Sequence, residues 1–108
     1  MAGKFVIIMV TCASRGEARK ISGSILKKRL AACANIIDGV ESGFWWKGRI
    51  DRAAETLLMM KTKMANFKKI EAEVNKLHSY EVPEIVALPV IAGSKDYLDW
   101  IKGVVRTA

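Results

Sequence analysis

The most constraining feature of this 108-residue chain is a run of three aromatic residues, Phe44, Trp45 and Trp46, set directly before Lys47-Gly48. The Lys47-Gly48 pair reads as a turn, because glycine supplies the positive φ that a tight reversal needs. Before it, Ala31 to Ile37 and then Val40 to Trp46 are apolar and partly alternating; after it, the chain returns through Ile50 to Leu57, Leu58, Met59 and Met60. Two extended arms on one tight turn make a long antiparallel hairpin, bent where Asp38-Gly39 interrupts the first arm. Neighbouring side chains on a strand point to opposite faces, so the aromatic run puts large rings on both sides of the ribbon. A lone ribbon cannot bury both. Either another subunit covers the hairpin, making Phe44, Trp45 and Trp46 an oligomer interface, or the chain's own last helix does so through Trp100; the enrichment of aromatics at interfaces favours the first.

The remaining elements follow from periodicity and punctuation. Lys4 to Val10 is a nearly continuous apolar run and reads as a central strand. Ser14 and Glu17 form a capping-box pattern that opens a helix reaching about Arg29, with Ala18, Ile21, Ser22, Ile25 and Leu26 on one face. Asn66 is expected to cap a second helix, in which Phe67, Ile70, Val74 and Leu77 recur at helical spacing. Pro83 and Pro89 bracket Glu84 to Leu88, and because Pro89 cannot donate to a ladder, a strand there belongs at a sheet edge. Ser94 starts a last helix, with Asp96 near its positive end, expected to bury Tyr97, Leu98, Ile101, Val104 and Val105. The order βαββαβ plus a C-terminal helix predicts an α+β, ferredoxin-like fold with an antiparallel sheet of strand order 4-1-3-2.

Length and charge narrow the function. Residues 1–108 suffice for a single domain, and 51% apolar with 27% charged residues is the balance of a folded chain. The apolar runs are too short for a bilayer, which needs roughly 20 residues, so no membrane partner is expected. Phe5 to Val10 leads into a polar turn without a small-residue cleavage site, which argues against a secretory signal and for a cytoplasmic location. Cys12 and Cys33 are then expected to be free thiols, and with His78 they lack the close spacing of a closed zinc site. The net charge of +7 raises nucleic acid as a partner, but Arg15 to Arg29 holds six basic residues against Glu17 alone, which reads as a solvated helix rim. Nucleic acid is set aside for a second reason: Ala54 to Lys61 offers no aromatic stacking platform. Thr11-Cys12-Ala13-Ser14 has no phosphate-cradling glycine before Gly16, and no nucleophile has an identifiable base, so no enzyme is expected.

Several separate stretches, in order and spacing, carry a resemblance to a known family. They are Val10-Thr11 with Glu17-Ala18, Leu30 to Ile36, Trp46-Lys47-Gly48-Arg49-Ile50, Glu55 to Leu58 with Lys61-Thr62, His78 to Ile85, and Tyr97 to Ile101. Together they resemble the CutA family of divalent-cation tolerance proteins over nearly the whole chain. The resemblance implies a ferredoxin-like subunit, a homotrimer akin to PII-type signalling proteins, a link to copper and other divalent metal ions, and no settled enzymatic activity. Two features depart from the family. Only Cys33 falls inside a shared motif, Cys12 standing one place past Thr11 in the expected loop, and the usual His-Pro-Tyr reads His78-Ser79-Tyr80.

Two candidate sites emerge. Cys33 is a soft ligand suited to copper, with Met59 or Met60 as a thioether and His78 as a further metal ligand; the competing reading, a small buried hydrophobe beside core methionines, is favoured. Lys61, at the end of a central strand, and His78, Tyr80 and Glu84, in the segment after the second helix, form a candidate pocket for a small anionic ligand or a metal-bound anion. The competing reading makes Lys61 a strand-end charge, His78 a helix cap and Glu84 a surface residue. In the expected topology Lys61 and His78 need not meet within one chain, and a cleft between subunits would join them.

Overall fold

The computed structural model describes residues 4–106. Strand β1, Phe5–Cys12, alternates strictly: Val6, Ile8, Val10 and Cys12 are buried on one face, while Phe5, Ile7, Met9 and Thr11 lie half-buried on the other. The strand runs two residues further than expected, and Cys12 is its last residue rather than part of a loop.

Helix α1, Arg15–Lys27, begins as its sequence dictates: the Ser14 hydroxyl accepts the Glu17 N–H at 3.1 Å. The Glu17 carboxylate reaches back to the Ala13 N–H at 2.9 Å, one residue beyond the expected box. The helix ends two residues before Arg29 because Arg29 takes a left-handed conformation, φ 57°. Leu30 N–H then bonds Ile25 O at 3.1 Å and Arg29 N–H bonds Leu26 O at 2.9 Å, a Schellman closure with Ile25 and Leu30 buried. A glycine is the usual occupant of that position. Arg29→Gly should therefore raise unfolding stability by about 0.5–1 kcal/mol, less whatever the freer unfolded chain recovers. A lower denaturant midpoint would show that the Arg29 side chain contributes more than its backbone strain costs.

Strands β2, Cys33–Trp46, and β3, Arg49–Lys63, form the hairpin. Lys47 and Gly48 both have positive φ, 51° and 79°, the geometry of a two-residue I′ turn, and Trp46 pairs with Arg49. The bend is a bulge: Ile37 pairs with Leu57 and Val40 with Glu55, leaving Asp38 and Gly39 opposite Thr56, with Gly39 at φ 77°. The Thr56 hydroxyl donates to Asp38 at 3.2 Å and holds the bulge.

A short 3-10 turn, Met64–Asn66, leads into helix α2, Phe67–Leu77. Asn66 does not cap it. Its side chain turns inward and donates to Leu30 O at 3.1 Å and Thr62 Oγ1 at 3.2 Å, tying α2 to the turn after α1. Strand β4, Val86–Pro89, completes a four-stranded antiparallel sheet of order β2-β3-β1-β4, which is the expected 4-1-3-2 order. Pro89 sits on the edge strand, opposite Val6.

Helix α1 lies against the sheet and α2, and the core closes around Ile8, Ile21, Ile25, Leu58, Met60 and Ile70. Helix α3, Lys95–Val104, lies against β3 and buries Ile101, with Val105 just past its end. Tyr97 and, on α1, Leu26 were expected inside but are exposed. Trp100 packs beside Tyr97, ring centroids 5.5 Å apart, and leaves Trp45 73% exposed, so α3 does not cover the hairpin tip.

Candidate functional site

At the end of β1, Cys12 meets the first turn of α1 and the end of α2. The Cys12 thiol, a Glu17 carboxylate oxygen and a His78 ring nitrogen all lie within 4.8 Å of one another. The β1 alternation carries Cys12 inward, the cap of α1 fixes Glu17, and His78 follows the last turn of α2. His78 Nε2 meets Thr11 O at 2.8 Å, while the Tyr80 N–H donates to Nδ1 at 3.0 Å. Nδ1 therefore carries the lone pair, which the Tyr80 N–H occupies, and Glu17 Oε1 lies 3.6 Å away. A cation bound at Nδ1 would take the place of that Tyr80 N–H.

Glu17 is buried enough for desolvation to oppose its charge, but N–H donors from Ala13 and Ser79 prevail and hold its carboxyl below the usual range. Burial, with Glu17 and Glu55 nearby, pushes the Cys12 thiol up to about 12. A bound metal would thus have to displace the thiol proton. The donor set, thiolate, imidazole and carboxylate, fits zinc or copper, whose tetrahedral ligands stand about 3.3–3.8 Å apart. The backbone carbonyl on Nε2 is the outer partner that orients a ligating imidazole.

Beside this cluster a groove of about 740 Å³ opens between the hairpin and residues 80–84. Tyr80 and Glu84 line it together with Phe44 and Trp46, and the Tyr80 hydroxyl donates to Glu55 at 2.7 Å. Burial, and then the Glu55 carboxylate, push that hydroxyl up to about 12. The rings of His78 and Tyr80 lie 4.6 Å apart, linking groove and cluster. Trp45 points to the opposite face of the ribbon from Phe44 and Trp46, in line with strand alternation.

Lys61 and Cys33 lie elsewhere. They pair with each other across β2 and β3, where Lys61 donates to Asn35 at 2.8 Å. Lys61 is six residues along β3 from Glu55, about 20 Å. Within one chain, then, His78, Tyr80 and the groove side of Glu84 share a neighbourhood that Lys61 and Cys33 do not enter. Burial, and then Cys33, raise the Tyr97 hydroxyl. Met60 is core and Met59 faces the other side of β3. The sequence reading passed over Cys12, Glu17 and Glu55 as ligands. Extending the period of Val6, Ile8 and Val10 by one step would have put Cys12 inside; Glu17 and Glu55 carried no comparable signal.

A ferredoxin-like antiparallel sheet with α1 and α2 on one face and a thiol–imidazole–carboxylate cluster at the end of its first strand defines a small α+β protein. The chain belongs to the CutA1 divalent ion tolerance protein family, whose sequence pattern matches residues 6–104. It is 42% identical over 96 residues to the divalent-cation tolerance protein CutA of Thermus thermophilus, covering 89% of this chain and 93% of that one. It is 38% identical over 101 residues to a chloroplastic CutA 1 protein of Oryza sativa, covering 94% of this chain and 57% of the plant protein's length. The crystal structure of CutA1 from Oryza sativa superposes with a TM-score of 0.93 at 36% identity, covering 99% of this chain and 98% of the other.

Proposed function

We propose that this chain is a non-enzymatic, cytoplasmic homotrimer that binds and responds to divalent metal ions, copper among them, through Cys12, Glu17 and His78. The observation that carries the metal reading is the gathering of the Cys12 thiol, a Glu17 carboxylate oxygen and a His78 ring nitrogen within 4.8 Å of one another, where an ion on Nδ1 would displace the Tyr80 N–H. The family's divalent ion tolerance description agrees with it. The trimer is supported by the sheet face away from α1 and α2, where half-buried Ile7 and Met9 adjoin exposed Ile37, Val86 and Leu88. An apolar face continuous with the hairpin aromatics suits a second copy. Two free thiols suit a reducing compartment.

The test is a titration of purified protein with Cu²⁺ and Zn²⁺, with each cysteine replaced in turn. Cys12→Ala should weaken binding about 100-fold or more, and Cys33→Ser should leave it within twofold. Affinity should rise about tenfold per pH unit, because one thiol proton leaves for each ion bound. Unchanged binding in Cys12→Ala with loss in Cys33→Ser would move the site to the Cys33 end of the sheet.

The alternative is a PII-like sensor holding a small anionic ligand between subunits. It requires a neighbour's Lys61 to reach Tyr80 and Glu84. The carboxylates of the groove oppose an anion there, and the metal reading is preferred on that ground.

A further inference from the structure

The helical side of the molecule concentrates charge that the metal cluster does not use. The Ser24 hydroxyl of α1 donates to the Glu73 carboxylate of α2, so the stripes that carry these two residues face each other across the α1–α2 seam. Lys20 and Lys27 stand four residues before and three after Ser24, and Lys69 and Lys76 stand four before and three after Glu73. Residues three and four apart share a helix face, so each helix brings two lysines to the seam. Lys28 joins them and pairs with Glu73 at 3.0 Å. Five lysines less one carboxylate leave the seam at +4, and that carboxylate is only 8% exposed and already engaged. Lys20, Lys27, Lys69 and Lys76 are exposed and make no ion pair among the described residues.

The helices run antiparallel, since Glu17 near the start of α1 accepts the Ser79 N–H past the end of α2, and Asn66 before α2 donates to Leu30 O past the end of α1. Lys20 therefore lies opposite Lys76 and Lys27 opposite Lys69. The first turn of α2 holds Lys68 and Lys69 and no acidic residue, where the helix dipole disfavours a cation. An anion laid along the seam offsets both costs. Seven residues of helix make each row about 10 Å long, and packed helix axes lie about 8–10 Å apart. Four ammonium groups spread at that spacing over rigid helices suit several phosphates of a polymer. The exposed aromatic rings, Phe44, Trp45, Trp46, Tyr97 and Trp100, all lie on the hairpin and α3, so the seam has nothing on which to stack an unpaired base. Neither stripe carries an exposed large apolar residue to enter a bilayer. We infer that the α1–α2 seam binds the phosphate backbone of double-stranded nucleic acid, without reading its sequence, through Lys20, Lys27, Lys69 and Lys76. On α1 alone the first two are a solvated rim; the second row, set opposite by α2, makes the phosphate site. The seam lies on the face of the sheet opposite the proposed subunit contact, and the inference requires neither the trimer nor a metal.

Fluorescence anisotropy of a labelled DNA duplex of about 20 base pairs, with the full chain kept metal-free by a chelator, tests it. With four phosphates neutralised, log affinity should fall against log salt with a slope of about −3 to −4, roughly 100-fold between about 50 and 200 mM. Lys20→Gln combined with Lys69→Gln should flatten that slope by about two and weaken binding about tenfold or more at the lower salt. Lys95→Gln combined with Lys102→Gln removes the same charge from α3 and should leave both as in the wild type. Both double variants should keep the wild-type mass in light scattering. Absence of duplex binding at the lower salt, a slope unchanged in the seam variant, or an equal loss in the α3 variant would overturn the proposal. So would a single strand that binds more tightly than its duplex, or binding to phosphatidylserine vesicles in place of the duplex. A changed mass in the seam variant would also overturn it, since the seam would then be a contact between copies.

Discussion

Replacing Trp45 and Trp46 together by Ser should convert the proposed trimer to monomers in light scattering at micromolar concentration. Trp45 is 73% exposed on one face of the ribbon and Trp46 is exposed on the other, beyond the reach of α3. Aromatic anchors at the centre of an interface are worth about 2–4 kcal/mol each, so losing both lowers association by several orders of magnitude. The fold should survive, because neither ring belongs to the core around Ile8, Leu58 and Ile70. A wild-type chain that already runs as a monomer at that concentration would sink the trimer, and a double variant that stays trimeric would move the interface to the open sheet face.

Leu58→Ala should lower the free energy of unfolding by about 2–5 kcal/mol. Leu58 is fully buried in β3, paired with Val10 on one side and Ile36 on the other. No helix or strand can collapse into the space without disturbing the ladders on both sides. Against a total of about 5–15 kcal/mol for a domain of ordinary stability, that loss is large. Met59→Ala, one residue along on the opposite and half-buried face, supplies the contrast. It should cost less in a dissociated chain and approach the Leu58 value only where a neighbouring copy covers that face. Denaturant unfolding at low and high protein concentration separates the two cases, and equal costs at every concentration would show the face uncovered.

The fold was legible in the sequence wherever a local rule acts over a few residues. The continuous apolar run of the first strand, the Ser14 and Glu17 cap, the Lys47-Gly48 turn and the edge position of Pro89 each depend on backbone geometry within a short span. Strand order followed from handedness, since a crossover of one hand leaves few ways to arrange four strands. Local rules misled where a distant partner outbid the near one. Asn66 has the chemistry of a helix cap, yet its amide is taken by Leu30 and Thr62, which come close only once the sheet has formed. Arg29 continues a helical pattern, yet the buried Leu30 requires the chain to turn there.

The candidate site divides the same way. Residue types alone placed His78, Tyr80 and Glu84 in one short segment, and the tertiary structure keeps His78 and Tyr80 in ring contact. What joins them to Cys12, Glu17 and Glu55 is invisible in sequence, because those partners are 66, 61 and 25 residues from His78 or Tyr80 and meet through the end of β1, the cap of α1 and the base of the hairpin. Sequence determined the elements and the sign of each side chain, since both are properties of a residue and its near neighbours. Only the tertiary structure decided which charges share a dielectric boundary, put Lys61 about 20 Å along β3 from Glu55, and left Glu55 buried beside an opening with no ion-pair partner among the described residues.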